Sequence, residues 1–175
     1  RVSALESRIR AAEDEHGQWS DPDFPATATS VGEGLRLAKG TKAEELRWVR
    51  APALLPHGET PQLFNRIEPD DILQGALGDC WLLAAIAAVA EFPEYISETL
   101  FVTKAIDGAD VPGKYVVKLF DGARGDWVDV TIDDRIPCIE TQWFELPTPL
   151  FAKNNGAEMY VMLLEKAFAK VAGSY

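Results

Sequence analysis

The residues with most chemistry in this 175-residue chain converge on one stretch, Gln74-Gly75-Ala76-Leu77-Gly78-Asp79-Cys80-Trp81. Cys80 follows a glycine-broken loop and opens an apolar run, Trp81 to Ala90, of helix-forming composition. A thiol there sits at the positive end of a helix dipole, which favours the nucleophilic thiolate. Its own N–H can point to where an oxyanion would form. Gln74, six residues upstream, can be folded back across Gly75 and Gly78 so that its side-chain N–H aims at the same spot. One donor of that kind is worth roughly 3 kcal/mol of transition-state stabilisation. The glycines permit close substrate approach and unusual backbone angles, and Trp81 is expected to pack behind the nucleophile. A lone cysteine beside Trp-Leu-Leu is ordinarily a small buried hydrophobe. The glutamine spacing and the glycine loop point instead to acyl transfer through a cysteine nucleophile.

Two neighbouring patterns bear on other chemistry. Pro69-Asp70-Asp71 is a turn signal whose adjacent carboxylates can contribute to a calcium site. The D-x-D-x-D-G loop of an EF-hand is missing, and spacing alone reads as a solvated turn. His16 and His57 are the two histidines, so no zinc set is formed by His and Cys spacing.

The elements that must position Cys80 follow from periodicity. Residues 2–15 place Val2, Leu5, Ile9 and Ala12 at helical spacing, with Ser3 and Glu6 as a capping box. Trp19 to Ala28, with Pro22 and Pro25, is extended and irregular, and Val31 to Glu45 is loop or short helix. Glu45 to Arg50 alternates apolar and charged, as a short strand or extended arm does. Trp81 to Phe92 is apolar on every side until Glu91, so the helix is expected to lie in a core covered on most faces. Tyr95 to Lys104 reads as another short helix. Lys114–Phe120 and Val128–Ile132 read as an antiparallel hairpin with one wet face, ended by Asp133-Asp134-Arg135 and Pro137. Cys138 falls in what reads as irregular chain and is expected to be a buried or half-buried bystander. Gln142 to Phe151 reads as loop. Glu158 to Val171 is a strong helix with Tyr160, Leu164, Ala167, Phe168 and Val171 on a wide apolar face, broadened by Met159, Met162 and Leu163. Gly173 is its expected stop.

Composition bounds the rest. The chain has room for one good domain, with 47% apolar and 26% charged residues. A net charge of -11 argues against a nucleic-acid surface. Two cysteines suit a reducing compartment, and the expected location is cytoplasmic. No secretory leader is read in the charged first residues, and the apolar run at Cys80 is far short of a membrane span.

Gln74 through Ala87 resembles the active-site motif of the calpain family nearly residue for residue, and more distantly that of papain-type proteases. Asp21-Pro22-Asp23-Phe24-Pro25-Ala26, Trp48-Val49-Arg50, Trp127-Val128 through Asp133-Asp134-Arg135-Ile136-Pro137, and Leu163 through Lys170 resemble further calpain segments in the same order. The resemblance covers roughly residues 19–175, with residues 1–18 outside it as a lead-in helix. It implies an α+β, papain-like cysteine protease fold: a mainly helical N-terminal lobe with a central helix starting at Cys80 and a small antiparallel hairpin. It further implies the first, nucleophile-bearing subdomain of the protease core, in which Cys80 is the nucleophile and Gln74 an oxyanion donor. The family's histidine and asparagine come from the second subdomain, and both histidines here precede Cys80, so this stretch alone is expected to be inactive. Implied partners are protein substrates and that second subdomain.

The resemblance also implies a calcium site. Asp71 and Glu158 match its carboxylates, and Phe64 and Arg66 match positions that coordinate through backbone carbonyls. Arg66 departs from a glycine common in relatives, and Pro69 from an arginine that can bridge the two subdomains. Two readings compete with the protease: a calpain-like scaffold or interaction module, and a papain-like acyl transferase or deubiquitinase. The match over hairpin and C-terminal helix disfavours the last.

Overall fold

The computed structural model describes residues 17–32, 45–55, 58–75, 80–106, 111–139, 147–153 and 155–175. The expected helix over 2–15, both histidines, Gly78, Asp79, most of the 31–45 stretch and the first part of the 142–151 loop lie outside them.

Two α-helices and seven short strands make up the regular α and β structure among these residues. The strands are β1 (Arg47–Arg50), β2 (Leu73–Gln74), β3 (Lys114–Asp121), β4 (Asp126–Asp133), β5 (Arg135–Ile139), β6 (Thr148–Pro149) and β7 (Ala152–Lys153). Helix α1 is Cys80–Ala90 and helix α2 is Tyr160–Ala172. The class is mixed α+β, and "mainly helical" understates the strands. β3 and β4 form the expected hairpin, with Val117 opposite Val130 and Tyr115 opposite Ile132. Those four residues face inward, and Val116, Lys118 and Asp129 alternate outward. Tyr95–Leu100 winds as a π-helix rather than an ordinary short helix.

Two strand assignments differ from expectation: β6 lies in the stretch read as loop, and β5 in the stretch read as irregular chain. Asp134 interrupts the hairpin, but the chain re-enters a strand at Arg135 and pairs antiparallel with β1, Arg47 opposite Cys138. Cys138 therefore sits in β5, fully buried, rather than in irregular chain. Burial pushes its thiol up to about 12, which makes it inert at neutral pH. The Asp-Asp-Arg run read as an end signal because its charges suit a turn. Here the two aspartates are buried against partners on other segments, Asp133 against Lys166 and Asp134 against Arg50, with Arg135 half-buried beside Asp133.

The two helices exchange the environments their sequences suggest. Helix α2 is buried continuously from Tyr160 to Ala167, Glu165 and Lys166 included. Its polar residues are satisfied inside: Lys166 pairs with Asp133, and Glu165 accepts the Ala152 amide. Helix α1 buries Leu82, Leu83, Ile86 and Ala90, while Trp81, Ala84, Ala85 and Ala88 are exposed. Trp81 is 71% exposed and does not pack behind Cys80. An apolar helix marks surface that needs covering, not the chain that covers it.

The core joins Leu82 and Ile86 of α1, Leu163, Leu164 and Ala167 of α2, and Val117, Val130 and Ile132 of the hairpin. Each such Leu, Ile or Val side chain contributes about 1.5–3 kcal/mol on burial. A second cluster of Val31, Leu46, Leu150 and Phe151 is closed by Tyr175, whose ring stacks on Phe151 at 4.5 Å. Gly173 ends α2 at φ 102° and donates to Ala169 O at 2.9 Å, as expected of a glycine stop.

Candidate active site

Cys80 is the first residue of α1 and is exposed. It is thus one of the residues whose N–H groups the helix itself leaves unpaired. Gln74 ends β2 and is also exposed, held in register opposite Ala152 of β7. The two flank residues 76–79, which lie outside the described residues. Both ends of the loop are therefore fixed by regular structure, one by a helix start and one by a strand pair.

Gly75 shows why a glycine stands beside Gln74. A Cβ there would lie 1.7 Å from the carbonyl oxygen of Phe151 and 2.8 Å from that of Pro149. The requirement is close backbone approach rather than a left-handed φ, since Gly75 is not among the positive-φ glycines. Backbone of the β6–β7 segment thus presses directly on the residue after Gln74.

The candidate cation residues are drawn together on another side of α2. Pro69–Asp71 forms a single 3₁₀ turn that is solvated at Asp70 but not at Asp71, which is buried and accepts from the Glu68 amide at 2.7 Å and the Tyr160 hydroxyl at 3.2 Å. Glu158 is 6% exposed, and its Oε1 accepts from the Arg66 amide at 3.1 Å. Its Oε2 is buried without a hydrogen-bond partner. Burial raises the Glu158 carboxyl above its ordinary range, amides of Arg66 and Asn65 oppose this, and nearby Asp71 and Glu68 raise it further. Burial and Asp71 likewise raise the Tyr160 hydroxyl. A buried carboxylate with one orphaned oxygen beside another carboxylate fits an oxygen-seeking cation. The Arg66 amide donates to Glu158, and the Arg66 side chain turns outward to Glu68 at 2.8 Å. No group of three or more His, Cys, Asp or Glu arranged to hold a metal is found among the described residues.

A buried ionic network fixes the scaffold. Lys166 pairs with Asp133, Arg135 also reaches Asp133 at 2.7 Å, and Arg50 meets Asp134 at 2.7 Å. Lys170 reaches Asp21 at 2.7 Å, and Asp21 donates its amide to Asp133 at 2.9 Å. The network ties α2, β1, the hairpin and the lead segment at Trp19–Phe24 into one body. An apolar cleft of about 230 Å³ opens elsewhere, between α1, α2 and the hairpin end, with Leu82, Tyr95, Trp127 and Phe168 in its walls. Neither Cys80 nor Gln74 lines it.

One residue important to this arrangement escaped the sequence reading. Glu165 lies in an apolar helix where a charge reads as solvated; Tyr160, read as core, is core and also donates its hydroxyl to Asp71. The signal that could have found Glu165 is its place inside an apolar run, Leu163-Leu164-Glu165-Lys166-Ala167-Phe168, with too few polar neighbours for a wet face.

A cysteine opening a helix on a mixed α+β lobe is an arrangement suited to thiol chemistry, and the comparisons supply the class. The family model described as calpain family cysteine protease matches residues 19–175. The chain is 32% identical over 171 residues to a calpain of Schistosoma mansoni, covering 97% of this chain and 21% of that protein. It is 34% identical over 159 residues to calpain-14 of Homo sapiens, covering 90% and 21%. With calpain-type cysteine protease DEK1 of Arabidopsis thaliana it shares 32% over 183 residues, 100% of this chain and 8% of that protein. The chain belongs to the calpain family of cysteine proteases. It spans about a fifth or less of the length of these relatives.

Proposed function

We propose that this chain is the nucleophile-bearing first subdomain of a calpain-like cysteine endopeptidase with a papain-like core, acting on protein substrates in the cytoplasm. The observation that carries the proposal is the exposed Cys80 at the start of α1, on the same helix as the exposed Trp81, Ala84 and Ala88. An apolar helix surface bearing a nucleophile is suited to a second subdomain that covers the apolar residues and supplies the missing base. No histidine follows Cys80 in the sequence, so that base comes from elsewhere and the 175 residues alone are inactive.

In this mechanism the Cys80 sulfur, its proton passed to the histidine, adds to the peptide carbonyl carbon. The carbonyl oxygen takes the negative charge and is held by the Cys80 N–H and the Gln74 side-chain amide. Collapse breaks the C–N bond, and the amine leaves with the proton from the histidine. Water then adds to the thioacyl carbon and releases the acid and the thiol.

Asp71 and Glu158 would hold a calcium ion in this reading. The ion would supply positive charge to two buried carboxylates and fasten the 64–71 segment to the start of α2. The orphaned Glu158 Oε2 supports this. Arg66 and Pro69 are departures from the family's switching pattern, so the ion's part here is structural.

The test is Cys80→Ala in the full-length protein. Proteolysis is expected to vanish while circular dichroism and the unfolding midpoint stay as in the wild type. Undiminished proteolysis overturns the proposal. A non-catalytic scaffold is the second reading, compatible with the exposed apolar face of α1. It predicts that wild type and Cys80→Ala are alike in proteolysis and alike in partner binding.

A further inference from the structure

We propose that Glu165 is a positioning residue for Gln74, acting through the β2–β7 ladder; this rests on the reading of Gln74 as an oxyanion donor. Glu165 sits on α2 and is buried, and both its carboxylate oxygens accept from the Ala152 amide, at 2.9 and 3.0 Å. Ala152 is the residue that faces Gln74 across the ladder. The residue before it, Phe151, presses its carbonyl oxygen against Gly75. The β7 backbone is thus held from behind by a helix carboxylate and bears from the front on both Gln74 and its neighbour.

The physical case is one of reach. β2 and β7 are two residues long, and a ladder that short is marginal by itself. A hydrogen bond to a charged acceptor is about twice as strong as a neutral one. Glu165 supplies that bond at the residue in register with Gln74. Helix α2 is itself locked by the adjacent Lys166–Asp133 pair. The position of the Gln74 backbone is therefore referred to the most buried helix in the fold rather than to an exposed loop. Misplacement of a catalytic group by about 1 Å can cost on the order of a hundredfold in rate.

Three substitutions in the full-length protease separate this from a structural role. Glu165→Asp keeps the charge and withdraws the carboxylate from Ala152. Glu165→Gln keeps the reach and one accepting oxygen. Gln74→Ala removes the donor. A peptide aldehyde serves as the oxyanion probe: the Cys80 sulfur adds to its carbonyl carbon, and the oxygen takes the charge and then the thiol proton. Iodoacetamide serves as the contrast, since the sulfur displaces iodide at carbon and no oxyanion forms. Glu165→Asp is expected to lower kcat and aldehyde affinity about ten- to a hundredfold, with KM and the rate of Cys80 alkylation unchanged. Glu165→Gln is expected to restore most of both. In Gln74→Ala, adding Glu165→Asp should cost nothing more.

A Glu165→Asp protein with wild-type kcat overturns the inference, as does a loss that adds fully to that of Gln74→Ala, or an alkylation rate that falls in parallel. If Gln74→Ala alone leaves kcat unchanged, the oxyanion reading itself fails. If Gln74→Ala loses activity and Glu165→Asp does not, only the inference about Glu165 fails. Rates are referred to the fraction folded by circular dichroism, so a destabilised variant still gives a reading.

Discussion

Lys166 and Asp133 form an ion pair in which neither side chain reaches solvent. The pair joins the centre of α2 to the end of the hairpin, and Lys166 also lies 5.5 Å from the centre of the Trp48 ring on β1. Removing one partner of a buried pair strands the other charge and costs about 3–5 kcal/mol. Lys166→Met is therefore expected to lower stability by about that amount, read as a shift in the urea midpoint with unchanged slope. A shift below about 1 kcal/mol, the range of a surface pair, would show that Arg135 and the Asp21 amide suffice for Asp133.

Acid should act through the same carboxylate. Burial by itself raises the Asp133 carboxyl, but the Lys166 and Arg135 charges and the hydrogen bonds from Lys166 and the Asp21 amide outweigh it. The group is held below its ordinary range. It binds protons more weakly folded than unfolded, so its stabilisation is present above the unfolded value near 3.9 and is lost as pH falls through the lower folded value. Stability is expected to fall below about pH 4, and Asp133→Asn should flatten that fall while lowering stability at neutral pH. An unchanged slope in the variant would assign the acid limb to other carboxylates.

The parts legible in the sequence are those set by local periodicity. The hairpin alternates, α2 repeats at helical spacing to a glycine stop, and α1 starts at Cys80 after a glycine loop. What eluded reading depends on contacts far apart in the chain. Cys138 belongs to a strand because Arg47–Arg50 arrives from about ninety residues earlier to pair with it. Asp133 and Asp134 read only as the end of the hairpin, and the burial of Lys166 is not legible locally, because their partners lie elsewhere in the sequence. Gly75 read as a loop glycine because nothing local announces that Phe151 will press on it. The exposed face of α1 is likewise hidden, since composition reports how apolar a helix is and not how much of its cover lies within the described residues.

The two cysteines should separate cleanly by reactivity. Cys80 is exposed at a helix start, and Cys138 is fully buried with its thiol pushed up to about 12. Thiolate is the reacting form. Brief iodoacetamide treatment of the folded protein at neutral pH is expected to add one label, mapped by peptide mass to Cys80, with Cys138 reacting only in denaturant. Equal labelling of both in the folded state would show that β5 opens readily.

Glu158 offers a separation of charge from shape. Its Oε2 is buried without a partner, and burial and Asp71 both disfavour its ionised form. In chelator, Glu158→Gln removes that charge while leaving an oxygen for the Arg66 amide, so the melting temperature is expected to rise or hold. A calcium ion bound only by the folded form stabilises it by RT ln(1 + c/Kd), where c is the free calcium concentration. Added calcium should raise the melting temperature of the wild type and leave Glu158→Gln unmoved. A calcium-dependent rise that survives the substitution would move the ion away from Asp71 and Glu158.

Gly75 gives the sharpest test of how the loop before Cys80 is placed. A methyl group there meets three backbone atoms, the nearest at 1.7 Å, and backbone cannot swing aside as a side-chain tip can. Either β7 moves back toward Glu165 or β2 moves out with Gln74; both disturb the register opposite Ala152. Overpacking of this kind costs typically about 1–3 kcal/mol. The expected result for Gly75→Ala in the full-length protein is a stability loss in that range and a fall in kcat larger than the stability loss explains. Gly122, at the hairpin turn, is the control, since an added methyl meets nothing within 4 Å. Gly122→Ala should leave kcat unchanged. If the two alanine variants behave alike, Gly75 is not what sets Gln74 against the start of α1.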